Sequence, residues 1–182
     1  MLALSQFMDI EQVRITCRNL SNCASFEKEL AQVVNCDFVR TGSIKEVCKC
    51  DILVTTTPVR SPIVKSEWIR EGTHINAIGA DATGKQEIGS SLIKRAKVVV
   101  DDIMQASHSG EVNVPISSGV FSQADIHAEL GEVIAGIKPG RENDEEITIF
   151  DSTGLAVQDL VTADMVYHKA LTAGIGTKMR LF

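Results

Sequence analysis

The sequence predicts an α/β protein built on a doubly wound, mostly parallel sheet, and three observations carry that prediction. Short β-branched apolar runs alternate with longer helix-forming stretches. The segments joining the runs are of crossover length rather than hairpin turns. Polar residues, chiefly Asp, Ser and Thr, stand just past one run after another, where open α/β sheets bind their ligands.

The elements follow in order. Residues 1–8, with Leu2, Leu4 and Phe7 apolar and no cap ahead of them, read as the tail of an amphipathic helix already in progress. Strands are expected over residues 13–16, 37–39, 52–55, 75–78, 98–100 and 147–150. Helices are expected over 21–34, opened by Ser21 as cap, over 44–48, over 85–95 and over 123–137. In the last of these Ile126, Leu130, Val133, Ile134 and Ile137 share one face, and Lys138-Pro139-Gly140 stops the helix. Residues 141–146 form an acidic solvated loop. A final helix runs from about Leu155 to Ala173, entered through Asp151-Ser152-Thr153-Gly154.

Composition bounds the function. The 182 residues carry a formal net charge of -6, 44% hydrophobic and 23% charged side chains. That is material for one core, and it argues against a basic nucleic-acid or anionic-membrane surface. The N-terminus lacks early Lys or Arg and a long apolar stretch, so neither signal peptide nor membrane span is expected and the location expected is cytoplasmic. Five cysteines in no disulfide-rich spacing read as reduced thiols. Cys48-Lys49-Cys50 is too short a pair for a zinc site, and no metal is expected.

The chemistry lies after the strands. Cys17-Arg18-Asn19, Thr55-Thr56-Thr57, Asp81, Asp101-Asp102 and Asp151-Ser152-Thr153 each follow an apolar run, so polar groups converge on one rim. Each residue also has a structural explanation, because Asp, Ser and Thr are the usual caps and turn formers. The coincidence of all five turns favours a ligand rim. Lys85 reads either as a first-turn helix residue or as a site residue, and a cation there opposes the helix dipole. The four histidines read as surface or packing residues, with His127 on the helix over 123–137. A Rossmann unit needs a Gly-rich turn after its first strand, but the first glycine here is Gly42. The sheet is therefore expected to be an incomplete Rossmann-like one, lacking its first strand and Gly-rich turn.

Five motifs in order carry a resemblance: residues 75–87 (Ile-Asn-Ala-Ile-Gly-Ala-Asp-Ala-Thr-Gly-Lys-Gln-Glu), 99–102, 110–113, 127–136 and 149–159. Together they resemble the ornithine cyclodeaminase and mu-crystallin family, with most likeness to its archaeal alanine dehydrogenase branch. The likeness covers essentially the whole chain. Family members are about twice as long, so the resemblance implies an N-terminally truncated form. In this reading residues 1–158 are a partial NAD(P)-binding domain, and 159–182 a helix and tail that pack on a substrate and dimerisation domain. It implies NAD(P)-dependent hydride transfer from the α-carbon of an L-amino acid. The alternatives are ornithine cyclodeaminase chemistry, a non-catalytic NADP-binding module, or an inactive remnant.

Residue by residue, the resemblance makes Asp81 the active-site aspartate and Lys85 its supporting lysine. Arg18 and Asn19 fall on the ribose turn, Thr55 and Thr56 near the adenine, Ile78 on the cofactor, and Ser152 and Thr153 at the nicotinamide end. Arg18 stands where NAD-selective sites commonly have an acidic residue, which favours NADP slightly over NAD. Thr83 stands where many relatives have proline. The implied partners are an amino or keto acid and, for a full-length protein, a second copy. The 182-residue chain alone is expected to self-associate and to be inactive.

Overall fold

Alternate side chains of the central strands are buried, the period-two pattern of strands packed on one face. Residues 2–179 are described by a computed structural model. In chain order its elements are β1 (Gln12–Ile15), α1 (Leu20–Leu30), β2 (Asp37–Arg40), α2 (Ile44–Val47), β3 (Ile52–Thr55) and β4 (His74–Ala77). There follow α3 (Ser90–Arg95), β5 (Lys97–Val100), α4 (Ile103–Ser109), α5 (Asn113–Ser117), β6 (Ala128–Glu129), α6 (Leu130–Ile134), β7 (Thr148–Asp151) and α7 (Ala156–Ala173).

Every strand pairing is parallel. β1 and β2 form one sheet, and five strands in the order β3-β4-β7-β5-β6 form the other. The α/β, Rossmann-like class is thus observed, with the doubly wound sheet divided between β1 and β3. Among the described residues neither β1 nor β3 has a strand partner on its second edge. Arg14 of β1 donates to the Lys49 carbonyl just ahead of β3.

Register sets the carboxyl end of the large sheet. Thr55 lies opposite Ala77, Ala77 opposite Asp151, and Asp151 opposite Val100. Four carboxyl ends therefore form a level row. Beneath them Ile75, Ile88, Leu92, Ile93 and Ile149 are at most 1% exposed, a core that fixes the row because slipping any strand by one residue would turn its apolar set outward.

Several elements differ from expectation. Residues 123–137 are not one helix: a 3-10 turn (Gln123–Asp125) leads into β6, and only Leu130–Ile134 are α-helical. The open edge of β5 wins over local helix preference, with Val99 opposite Ala128 and the His127 N–H on the Val98 carbonyl at 2.9 Å. His127 therefore lies on no helix, and Ile134 and Ile137 are exposed rather than on a shared buried face with Ile126. The helix expected from residue 85 begins at Ser90, because residues 86–89 run extended past Val59 and Val64. Lys85 is thus a loop residue.

α1 is capped by Asn19, whose Oδ1 accepts from the Ser21 N–H at 3.0 Å, so Ser21 is inside the helix rather than its cap. Short helices α4 and α5, and strand β6, had no counterpart in the sequence reading. Residues 4–6 make one 3-10 turn instead of a helix tail, and Met1 lies outside the described residues. Cys17 and Cys23 are joined as a disulfide, correcting the expectation of five free thiols, because the turn from β1 into α1 brings their Cα atoms to 6.3 Å. Cys36, Cys48 and Cys50 are free.

α7 leaves the sheet with none of its residues buried, showing Leu160, Val161, Met165, Val166 and Tyr167 on its surface. The expected second unit begins within this helix, and residues 180–182 lie outside the described residues. No helix among the described residues is long and apolar enough to cross a membrane.

Candidate functional site

The turns that leave the level row are held by buried side chains from elsewhere in the chain. Asp101, the residue after β5, accepts from the Thr153 N–H (2.6 Å), the Thr153 hydroxyl (2.7 Å) and the Gly154 N–H (2.8 Å). The Ser152 N–H donates to the Ala77 carbonyl at 3.0 Å. Ser152 and Thr153 therefore sit against the end of β4 in a turn stitched to β5.

After β4 the chain runs through Ile78, Gly79 and Ala80 to Asp81, whose exposed carboxylate forms an ion pair with the largely buried Lys85. The lysine's hydrogen bond, then its charge, holds the Asp81 carboxyl below the usual aspartate range. The Thr83 hydroxyl donates to the His108 carbonyl at 2.8 Å, and the Arg60 guanidinium donates to the Thr83 carbonyl at 3.0 Å. Asn113 reaches under the same loop, accepting from the Gly84 N–H and donating to the Lys85 carbonyl, each at 2.9 Å.

Thr55 is buried at the end of β3 with its hydroxyl oxygen unpartnered, while Thr56 is exposed beside it. Ile78 shows 41% of its surface on the rim, an apolar face among polar turns. An exposed aliphatic face and a Ser-Thr turn held by Asp101 fit the ring and amide portions of a dinucleotide, whereas the Thr55 hydroxyl is enclosed beneath the rim. The chain supplies no glycine turn after β1 that would suit a pyrophosphate. Arg18 and Asn19 lie apart, on the turn after β1 in the small sheet. Arg18 is exposed, and the Asn19 side chain is engaged in capping α1.

Two buried acids, Glu87 and Glu111, had no place in the sequence reading of the rim, and Asp151, expected on it, is instead buried beneath it; all three are fully buried. Glu111 accepts from the Glu87 and Ile88 N–H groups, at 2.8 and 2.5 Å, through one oxygen. Asp151 accepts from the Val112 N–H at 3.2 Å, and Gly110 leaves room for it, since a Cβ there would stand 2.5 Å from Asp151 Oδ2. These partners are backbone amides, which leave no mark in a sequence. The one available signal was an acidic residue beside an apolar one, as in Glu87-Ile88 and Glu111-Val112.

Residues 1–174 match the profile of the ornithine cyclodeaminase/mu-crystallin family. The chain belongs to that family. It is 60% identical over 138 residues to an alanine dehydrogenase of Archaeoglobus fulgidus, a span of 76% of this chain and 43% of the relative. A solved archaeal alanine dehydrogenase dimer with bound NAD superposes with a TM-score of 0.93 at 49% identity, covering 99% of this chain and 56% of that one. The Δ1-pyrroline-2-carboxylate reductase of Thermococcus litoralis, solved with NADH and L-proline, gives a TM-score of 0.93 at 39% identity, covering 97% of this chain and 55% of that one. The chain thus spans about half the length of these relatives.

Burial pushes the Glu111 carboxyl up to about 8, against the pull of its two amide donors, with the Asp151 and Glu87 charges adding to the rise. Burial likewise pushes Asp151 up to about 7. Each has an oxygen with no partner, where a proton can reside. An acid whose folded pKa is raised stabilises the fold fully below its unfolded value, and that contribution is lost as pH rises through the folded value. Stability should therefore decline from near pH 4.5, the unperturbed glutamate value, to about 8. Glu111→Gln copies the protonated acid, and urea midpoints at several pH values should show a decline smaller than wild type by about 1 kcal/mol or more. An equally steep decline in the variant would remove Glu111 as its source.

Proposed function

We propose that this chain forms the nucleotide-binding half of an NAD(P)-dependent amino-acid oxidoreductase, with Asp81 at the reacting end. The observation that carries the proposal is the placement of the Asp81–Lys85 pair and the Ser152-Thr153 turn on neighbouring strand ends, joined by the Ser152–Ala77 hydrogen bond. Alanine dehydrogenase and pyrroline-2-carboxylate reductase relatives support the same chemistry.

Bound nicotinamide supplies the hydride acceptor for the α-carbon of an L-amino acid. Asp81, held anionic by Lys85, receives the substrate ammonium. It can pass a proton as water adds to the imine that oxidation leaves. Lys85 limits the repulsion between Asp81 and an incoming carboxylate. Thr153, immobilised by Asp101, closes the nicotinamide end, and Thr56, exposed beside the buried Thr55, faces the adenosine side with Ile78 between the two. Arg18 offers a guanidinium for a ribose phosphate, and Asn19 orients that turn through its cap. The homodimer, the amino or keto acid partner and a cytoplasmic location complete this reading. The exposed apolar side chains of α7 offer a surface for a substrate and dimerisation domain.

The reductase relative favours a second direction for the same reaction, hydride delivered to a cyclic imine. A chimaera in which this chain replaces the matching segment of the Archaeoglobus fulgidus alanine dehydrogenase separates the two. Alanine-dependent NAD(P) reduction supports the dehydrogenase reading, and NAD(P)H oxidation by pyrroline-2-carboxylate alone supports the reductase. In that chimaera Asp81→Asn should lower turnover by about 100-fold or more while changing cofactor affinity by less than about 2-fold. Near-normal turnover would return Asp81 to a turn-forming role.

Arg18→Ala in the same chimaera tests cofactor choice. Removal of a charged phosphate contact should weaken NADP by about 10-fold and leave NAD nearly unchanged. Equal losses in calorimetric titrations, or a loss confined to NAD, would contradict the assignment of Arg18 to a 2′-phosphate.

A further inference from the structure

Glu87 closes the loop that carries Asp81 and Lys85. One of its oxygens accepts from the Gly79 N–H at 3.0 Å, across eight residues of sequence. The other accepts from both the N–H and the hydroxyl of Thr57, each at 2.6 Å, on the turn after β3. All three partners are donors, so the side chain acts purely as an acceptor. Glu87 is itself pinned: its carbonyl takes the Ile63 and Val64 N–H groups at 2.8 and 2.9 Å, and its N–H donates to Glu111. Gly79 is fitted to this contact, because a Cβ there would lie 2.5 Å from both Glu87 Oε2 and the Thr57 nitrogen.

We propose that Glu87 is a positioning residue that clasps the neck of the 79–87 loop and locks it to the Thr55–Thr57 turn, setting Asp81 and Lys85 at a fixed place on the rim. The proposal deepens the oxidoreductase reading and rests on it for the purpose of that placement. The loop is fastened at three places: Arg60 and the His108 carbonyl hold its tip at Thr83, Asn113 stitches its far arm at Gly84 and Lys85, and Glu87 joins its near arm to the neighbouring strand end through Gly79. Asp81 lies on the near arm and Lys85 on the far one. Releasing the neck therefore lets Asp81 move relative to Lys85, whereas a role confined to core stability leaves the pair intact in every folded molecule.

Glu87→Gln is the direct probe, because an amide of the same shape must turn a donor toward either Gly79 or Thr57 and so release one of them. Thr57→Val removes one donor from the other end of the clasp without touching the loop. The readout is the Asp81 carboxyl titration, followed by heteronuclear NMR in the 182-residue chain, with Lys85→Met as the reference for a fully lost pair. Glu87→Gln should raise the Asp81 midpoint toward that reference by about half a unit or more, and Thr57→Val by a smaller amount in the same direction. An unchanged Asp81 midpoint in folded Glu87→Gln overturns the proposal, and if that variant does not fold, an unchanged midpoint in Thr57→Val overturns it. NAD and NADP titrations of the wild-type chimaera are read separately. A shifted Asp81 with no cofactor binding would retain the clasp and overturn the oxidoreductase reading on which its purpose rests.

Discussion

Buried carboxylates accepting backbone N–H groups at the strand ends are the interaction on which this structure turns. Asp101, Glu87, Glu111 and Asp151 each reach a turn or loop distant in sequence and satisfy amides that the sheet itself leaves unpaired. Removing a carboxylate from water is costly, and the charged hydrogen bonds offset that cost only when geometry is good. Two outcomes are visible here. Glu87 uses both oxygens on three donors, whereas Glu111 and Asp151 each keep one oxygen without a partner and have raised pKa values. The acids thus divide into two fully engaged bridges, Asp101 and Glu87, and two, Glu111 and Asp151, that favour the protonated state.

That division suits the site proposed above. A rim whose turns are fixed from beneath, with Thr153 held by Asp101 and Asp81 held by Lys85, costs little reorganisation on binding. The apolar row under the rim does the complementary work by fixing register, so that four strand ends present their turns at one level. The turn after β1 stands outside this arrangement. Its sheet has two strands, and Asn19 and the Cys17–Cys23 disulfide organise it locally.

Much of the fold was legible in the chain. Each of the six expected strands is present with its ends within one residue of the reading, because a buried parallel strand shows itself as a β-branched run. The failures share one cause. Residues 123–137 have a helical apolar period, yet the β5 edge recruits Ala128 and Glu129. Residues 85–89 look like a helix start, yet the amides of residues 86–89 are taken by Val59, Glu111 and Val64. Local pattern lost to tertiary hydrogen bonding in both places. The same asymmetry holds at the candidate site: Asp81 and the Ser152-Thr153 turn could be placed because they follow strands, while the contacts of Glu87 and Asn113 could not, since their partners lie in other segments and are mostly main-chain groups.

The central proposal is that this rim, together with the turn that carries Arg18 and Asn19, receives the nucleotide. The most direct measurement is an amide NMR map of the chain titrated with NAD and with NADP. The account predicts shifts gathered at Thr55 to Thr57, Ile78 to Asp81 and Ser152 to Gly154, and with NADP also at Arg18 and Asn19, with little change at the amino ends of the strands around His74, Lys97 and Arg141. Shifts centred on that opposite end would contradict it.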